Sequence, residues 1–141
     1  MHTETKLTVR YAETDQMGIA HHSNYPIWFE AGRTDFLKSM GMSYSGMEKS
    51  GVLLPLYEMH VRFLSPAKYE DEILVQTSLQ SVSRVRVVFS YQVLRAGDGR
   101  PLAAGETVHA FTDKELKPVN AQKAVPFVYS ALCQTINNIL R

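Results

Sequence analysis

Only one cysteine, Cys133, occurs among the 141 residues. It has no partner for an internal disulfide and cannot build a multi-cysteine metal site. Long apolar runs are missing as well. No stretch approaches the ~18 consecutive apolar residues of a transmembrane helix, and Met1 to Lys6 lack the apolar centre of a signal peptide. Charge of one sign never accumulates: 15 basic residues stand against 14 acidic ones, a net charge of +1. That balance argues against a general electrostatic grip on nucleic acid or an anionic membrane. The longest same-sign run, Glu70-Asp71-Glu72, reads as a solvated turn. Internal repeats and low-complexity tracts are absent too. The expectation is one cytoplasmic domain over residues 1–141, with no nucleic-acid partner and no stable membrane insertion.

What is present is a change of period along the chain. Residues 6–12 alternate Leu7, Val9 and Tyr11 with polar neighbours, which predicts a strand. A loop with Gly18, His21 and His22 follows. Residues 24–40 carry Tyr25, Trp28, Phe29, Phe36, Leu37 and Met40, the spacing of a helix with a wide aromatic face. Ser23 or Asn24 suits its N-cap, Pro26 falls in its first turn, and Gly41 ends it. A short helical turn is expected over 43–50. After Gly51 the period becomes two, predicting strands over 52–64, 72–82, 84–95 and 101–112. Gly97-Asp98-Gly99 marks a hairpin, and Val128, Leu132 and Ile136 place the tail in a helix. The last strand is rich in small residues, Ala103, Ala104, Gly105 and Ala110, which lets a bulky aromatic helix approach. A long helix preceding four strands is an α+β arrangement. A single sheet leaves an edge that a second copy would cover.

The chemistry concentrates in residues 11–37. A carboxylate, Asp15, sits on a Gly-containing loop that feeds a helix N-terminus. Such an N-terminus offers free N–H groups and a positive dipole end, which suit the developing oxyanion of an attacked carbonyl. Asp15 could attack or activate water; it could equally be a turn former with solvated histidines beside it. No Gly-x-Ser-x-Gly elbow is present, and the histidines, cysteine and carboxylates lack metal-ligand spacing.

Two stretches carry a resemblance. One is Tyr11-x-x-Thr14-Asp15-x-x-Gly18-x-x-x-His22-x-Asn24-Tyr25, followed by Phe29-Glu30-x-x-Arg33-Thr34-x-Phe36-Leu37. The other is Arg62-Phe63-Leu64-Ser65-Pro66-Ala67-Lys68-Tyr69-Glu70-Asp71-Glu72. Together, across roughly Leu7 to Pro118, they resemble the hotdog-fold acyl-CoA thioesterases of the 4-hydroxybenzoyl-CoA thioesterase-like, YbgC-type group. The resemblance implies a long helix wrapped by a curved antiparallel sheet, assembled as a homodimer or homotetramer. It implies an acyl-CoA substrate cleaved to a carboxylic acid and coenzyme A without a cofactor or metal. It makes Asp15 the nucleophile or general base and Gly18 the residue that turns the loop. His22 supplies a backbone N–H to the oxyanion site, and Asn24 and Tyr25 open the helix beside the substrate. Histidine rather than tyrosine at position 22 argues against a hydroxybenzoyl substrate.

Glu30 and Arg33, three apart on the helix, are expected to form a structural ion pair. His21 is expected to be loop, and His60 and His109 to be strand histidines that are packed or hydrogen-bonded. A coenzyme A ligand needs cations, and Arg84, at the turn before a strand, is the first candidate to hold its nucleotide end, with Arg86, Lys114 and Lys117 behind it. Two rivals remain: a non-catalytic acyl-thioester binder, and a 3-hydroxyacyl-thioester dehydratase. The dehydratase would need a histidine paired with a helix carboxylate, which the Thr14-Asp15-x-x-Gly18 motif disfavours.

Overall fold

The computed structural model describes residues 2–140. Five antiparallel strands form one sheet in the order β1-β3-β4-β5-β2. They are β1 Thr3–Thr8, β2 Leu56–Phe63, β3 Glu72–Val82, β4 Arg86–Arg95 and β5 Pro101–Ala110. The helix α1, Tyr25–Ser39, lies against the concave face, and α2, Tyr44–Lys49, follows it. The tail forms α3, Ala121–Ala124, and α4, Pro126–Leu140, and Leu132 of α4 is buried. This is the α+β hotdog architecture: one long helix held in a curled sheet.

Alternation explains which face is buried. Ile73, Val75, Thr77 and Leu79 of β3 point inward, as do Val87, Phe89, Tyr91 and Val93 of β4. Helix α1 answers with Trp28, Phe29, Phe36 and Leu37. Phe29 stacks on Tyr91 at 4.2 Å between ring centroids, and Phe36 meets Phe89 edge-on at 5.8 Å.

The small residues of β5 permit this approach. A Cβ on Gly105 would stand 2.6 Å from the His60 carbonyl and 2.8 Å from the Phe29 ring. Neither neighbour can yield, one being backbone of the adjacent strand and the other a stacked ring. Gly105→Ala is therefore expected to cost about 1–3 kcal/mol. Urea unfolding would show a lower midpoint at unchanged slope; a midpoint equal to wild type would refute the close packing.

Several boundaries and contacts differ from the expectations. The first strand ends at Thr8 rather than at residue 12, and Tyr11–Glu13 form a 3₁₀ turn. The Glu13 carboxylate draws the chain round there by accepting the Arg10 N–H at 2.8 Å. Neither Ser23 nor Asn24 caps α1 with its side chain; a 3₁₀ turn, His22–Asn24, precedes the helix, and the His21 ring accepts from the Ser23 N–H. The Glu30–Arg33 ion pair is not formed. Glu30 is exposed, whereas Arg33 is buried and donates to the phenol oxygens of Tyr44 at 3.2 Å and Tyr91 at 3.1 Å. His109 is buried in β5 as expected, but His60 lies exposed on β2.

Candidate active site

Asp15 heads a small hairpin whose arms, Thr14 and Ala20, pair with each other. Its N–H donates to the Ile19 carbonyl at 2.9 Å, and its carbonyl accepts the Gly18 N–H at 3.0 Å. Gly18 has φ +77°, so it takes the left-handed conformation that closes this turn without strain. One carboxylate oxygen of Asp15, Oδ1, accepts the Met17 N–H at 2.8 Å. The other has no hydrogen-bond partner among the described residues. Asp15 is thus both turn former and half-free carboxylate, and the two readings of it are compatible.

The hairpin runs directly into the helix. His21 donates its N–H to the Glu13 carbonyl at 2.8 Å, and Ala20 donates to the Ala67 carbonyl at 2.8 Å. Buried Ala67 therefore links the second motif to the first. His22 is exposed and opens the 3₁₀ turn. Its N–H has no acceptor among the described residues, as expected for the first residue of a helical segment. Asn24 is buried and braces the loop, its Nδ2 donating to the carbonyls of Glu13 and His21 at 2.8 and 2.9 Å. Tyr25 is buried against Trp28 and Phe63, and burial pushes its phenol up from the usual range. Asp15, Gly18, His22, Asn24 and Tyr25 are thereby brought to one end of α1.

Arg84 is not brought there within one chain. The Asp15 hairpin pairs Ile19 with Lys68, close to where β3 begins. Arg84 lies in the turn after β3 ends at Val82. An eleven-residue strand, rising about 3.3 Å per residue, separates the two by roughly 33 Å along the ribbon. Arg84 instead stands beside Tyr129 of α4.

One residue of the site escaped the sequence reading: Glu13. It is buried, with Oε1 on the Arg10 N–H and Oε2 accepting the Trp28 indole N–H at 3.0 Å. Burial alone would push this carboxyl up. The hydrogen bonds from the Arg10 backbone, Trp28 and the Arg10 side chain outweigh that and hold it below the usual glutamate range. The available signal was a lone tryptophan whose N–H must find a partner once buried. A hollow of about 720 Å³ lies away from this site, on the outer face of the sheet beside His60, Gln76 and Glu106. Among the described residues no three His, Cys, Asp or Glu side chains converge as metal ligands would, and no helix is long and apolar enough to cross a membrane.

The hotdog sheet curled round one long helix is that of a thioester hydrolase. The family model of the thioesterase-like superfamily matches residues 9–132, and the chain belongs to that family. A Bacillus subtilis relative bearing the name "Putative acyl-CoA thioesterase YneP" is 38% identical over 133 residues, covering 93% of this chain and 96% of its own. The Escherichia coli acyl-CoA thioester hydrolase YbgC is 27% identical over 88 residues, 62% of this chain and 66% of that protein. Among solved structures, the DHNA-CoA thioesterase of Staphylococcus aureus superposes with a TM-score of 0.92 at 31% identity, covering 99% of this chain and 95% of that one.

Proposed function

We propose that the chain hydrolyses acyl-CoA thioesters to a carboxylic acid and free coenzyme A, with Asp15 as nucleophile or general base. The observation that carries this is the junction of the Asp15 hairpin with α1, where a free carboxylate oxygen and the unclaimed His22 N–H open the same helix. In the general-base route Asp15 takes a proton from water as the water oxygen bonds to the thioester carbon. The carbonyl oxygen becomes an oxyanion held by the His22 N–H. Collapse breaks the C–S bond, and the proton passes to the departing thiolate. In the nucleophilic route the Asp15 oxygen bonds to the same carbon and expels the thiolate, and water then cleaves the resulting anhydride. Gly18, Asn24 and Tyr25 shape the substrate side of the loop. The names of these Bacillus, Escherichia and Staphylococcus proteins support coenzyme A as the carrier, and the proposed location is the cytoplasm.

The site is completed by a second copy. The two sheet edges differ in kind. Strand β1 carries Glu4 and Lys6, with Lys6 paired to Glu72 at 3.2 Å, which discourages further pairing. Strand β2 exposes Leu56, Tyr57, Met59 and Phe63. An apolar edge of this sort calls for cover, and the partner's surface over β2 and α1 would form the acyl pocket. Arg84 would reach a bound nucleotide only from that neighbouring subunit. Light scattering should report at least twice the 15.9 kDa of one chain; an active 15.9 kDa monomer would sink the shared pocket. The function itself is tested with octanoyl-, palmitoyl- and benzoyl-CoA, following thiol release. Cleavage of none of them, with tight binding retained, would favour the non-catalytic binder instead.

A further inference from the structure

We propose that Glu13 is a positioning residue for catalysis: it locks the Asp15 loop and the start of α1 into one rigid unit. The proposal rests on Asp15 and the His22 N–H acting as described above. Glu13 receives donors from four places in the chain. Its carboxylate takes the Arg10 N–H at 2.8 Å and the Trp28 indole at 3.0 Å. Its carbonyl takes the His21 N–H at 2.8 Å and Asn24 Nδ2 at 2.8 Å. The acceptor is thus shared between the strand exit, the residue before the oxyanion donor, and two residues at the start of the helix. Asp15 follows two residues later, and His22 is bonded directly to His21. A shift of Glu13 would move carboxylate and donor relative to each other.

The design is costly unless it does something. A carboxylate buried to 6% side-chain exposure beside an apolar tryptophan carries a desolvation penalty. An ordinary turn would hold the loop without it. What the buried charge adds is directionality, since an ionised carboxylate accepts on both oxygens and fixes Trp28 and Arg10 at once. Catalytic geometry tolerates errors of only about 0.5 Å, and a misplacement near 1 Å can cost about 100-fold in rate.

Glu13→Gln tests this. Its amide can accept at one oxygen only and turns a donor toward either Trp28 or Arg10. Turnover of whichever acyl-CoA of the octanoyl, palmitoyl and benzoyl panel the wild type cleaves fastest should fall by about 10-fold or more in kcat. KM should stay within about twofold, because ground-state binding is untouched. Trp28 is the one tryptophan of the chain, so its emission reports the broken contact directly and should shift in the same variant. A kcat within twofold of wild type alongside a shifted emission overturns the proposal. Trp28→Phe removes only the indole limb and should lower kcat less, again with KM unchanged. If Glu13→Gln fails to fold, Trp28→Phe decides, and full kcat in that variant overturns the proposal. Asp15→Asn, run in parallel, should lose turnover with Trp28 emission unmoved. Were Asp15→Asn active, the Asp15 reading and this proposal would fall together. Were it inactive while Glu13→Gln kept wild-type kcat, only the positioning role would be lost.

Discussion

Replacing Asp15 by asparagine should lower thioester turnover by about 10²–10⁴-fold while leaving the fold intact. The size follows from the chemistry removed. Asparagine can neither take a proton from water nor form an anhydride at a useful rate. The fold should survive because the structural duty of the Asp15 side chain is a single turn contact, Oδ1 to the Met17 N–H at 2.8 Å, and an asparagine Oδ1 accepts that bond equally well. The loss should appear in kcat and kcat/KM alike, since the contact is made in the transition state. His22→Ala is the control: the donor assigned there is backbone, so most activity should persist. Steady-state kinetics on the two variants decide the matter. An Asp15→Asn rate within threefold of wild type removes Asp15 from catalysis. A His22→Ala enzyme as inactive as Asp15→Asn would give the imidazole itself a part in the reaction.

How much of this was legible in the chain depends on the range of the interaction. Helix α1 was expected over 24–40 and spans Tyr25–Ser39, because its face is written in local spacing. Strands β3 and β5 likewise fall close to their period-two stretches. Arg33 misled because local spacing offered Glu30 as a partner, while its true partners Tyr44 and Tyr91 lie 11 and 58 residues away. Glu13 stayed hidden for the same reason: its indole donor is fifteen residues on, and no periodicity records which polar atoms meet across a loop. The early end of β1 follows from that contact too, since the Arg10 N–H goes to a side chain instead of a strand. Among the site residues, Asp15, Gly18, His22, Asn24 and Tyr25 were readable as one contiguous motif. Arg84 belonged to no such motif, and the fold sets it at the far end of a ribbon.

Acid should weaken the protein well before its carboxylates titrate, and His109 is the reason. Helix α1, β4, β5 and the segment before β2 meet in a buried polar chain. Arg33 donates to Tyr91, whose hydroxyl lies 2.6 Å from Thr107 Oγ1. Thr107 Oγ1 lies 2.9 Å from His109 Nε2, and His109 Nδ1 lies 3.2 Å from the Leu54 carbonyl. A single direction of donation satisfies every member: Arg33 to Tyr91, Tyr91 to Thr107, Thr107 to His109 Nε2, and Nδ1–H to Leu54. That direction requires neutral histidine. Burial, and then the Arg33 charge, push His109 down to about 4, against a small opposing pull from the Leu54 carbonyl. Burial also lifts Tyr91 to about 12, so it stays a donor throughout. The unfolded chain takes up the His109 proton near pH 6.5, whereas the folded protein resists it until about 4. The fold therefore keeps its full stability above pH 6.5 and loses it progressively below. The loss reaches about 2 kcal/mol by pH 5 and saturates near 3 kcal/mol. Glu13, held below its usual range, adds its own loss only once the pH falls below about 4.5. Urea unfolding at pH 7.5, 6 and 5 should show this decline in wild type. In His109→Gln, less stable at pH 7.5, the decline between 6.5 and 5 should largely vanish. Parallel losses in the two proteins over that interval would mean that His109 takes its proton in the folded state, and that the chain of donors from Arg33 does not hold it neutral.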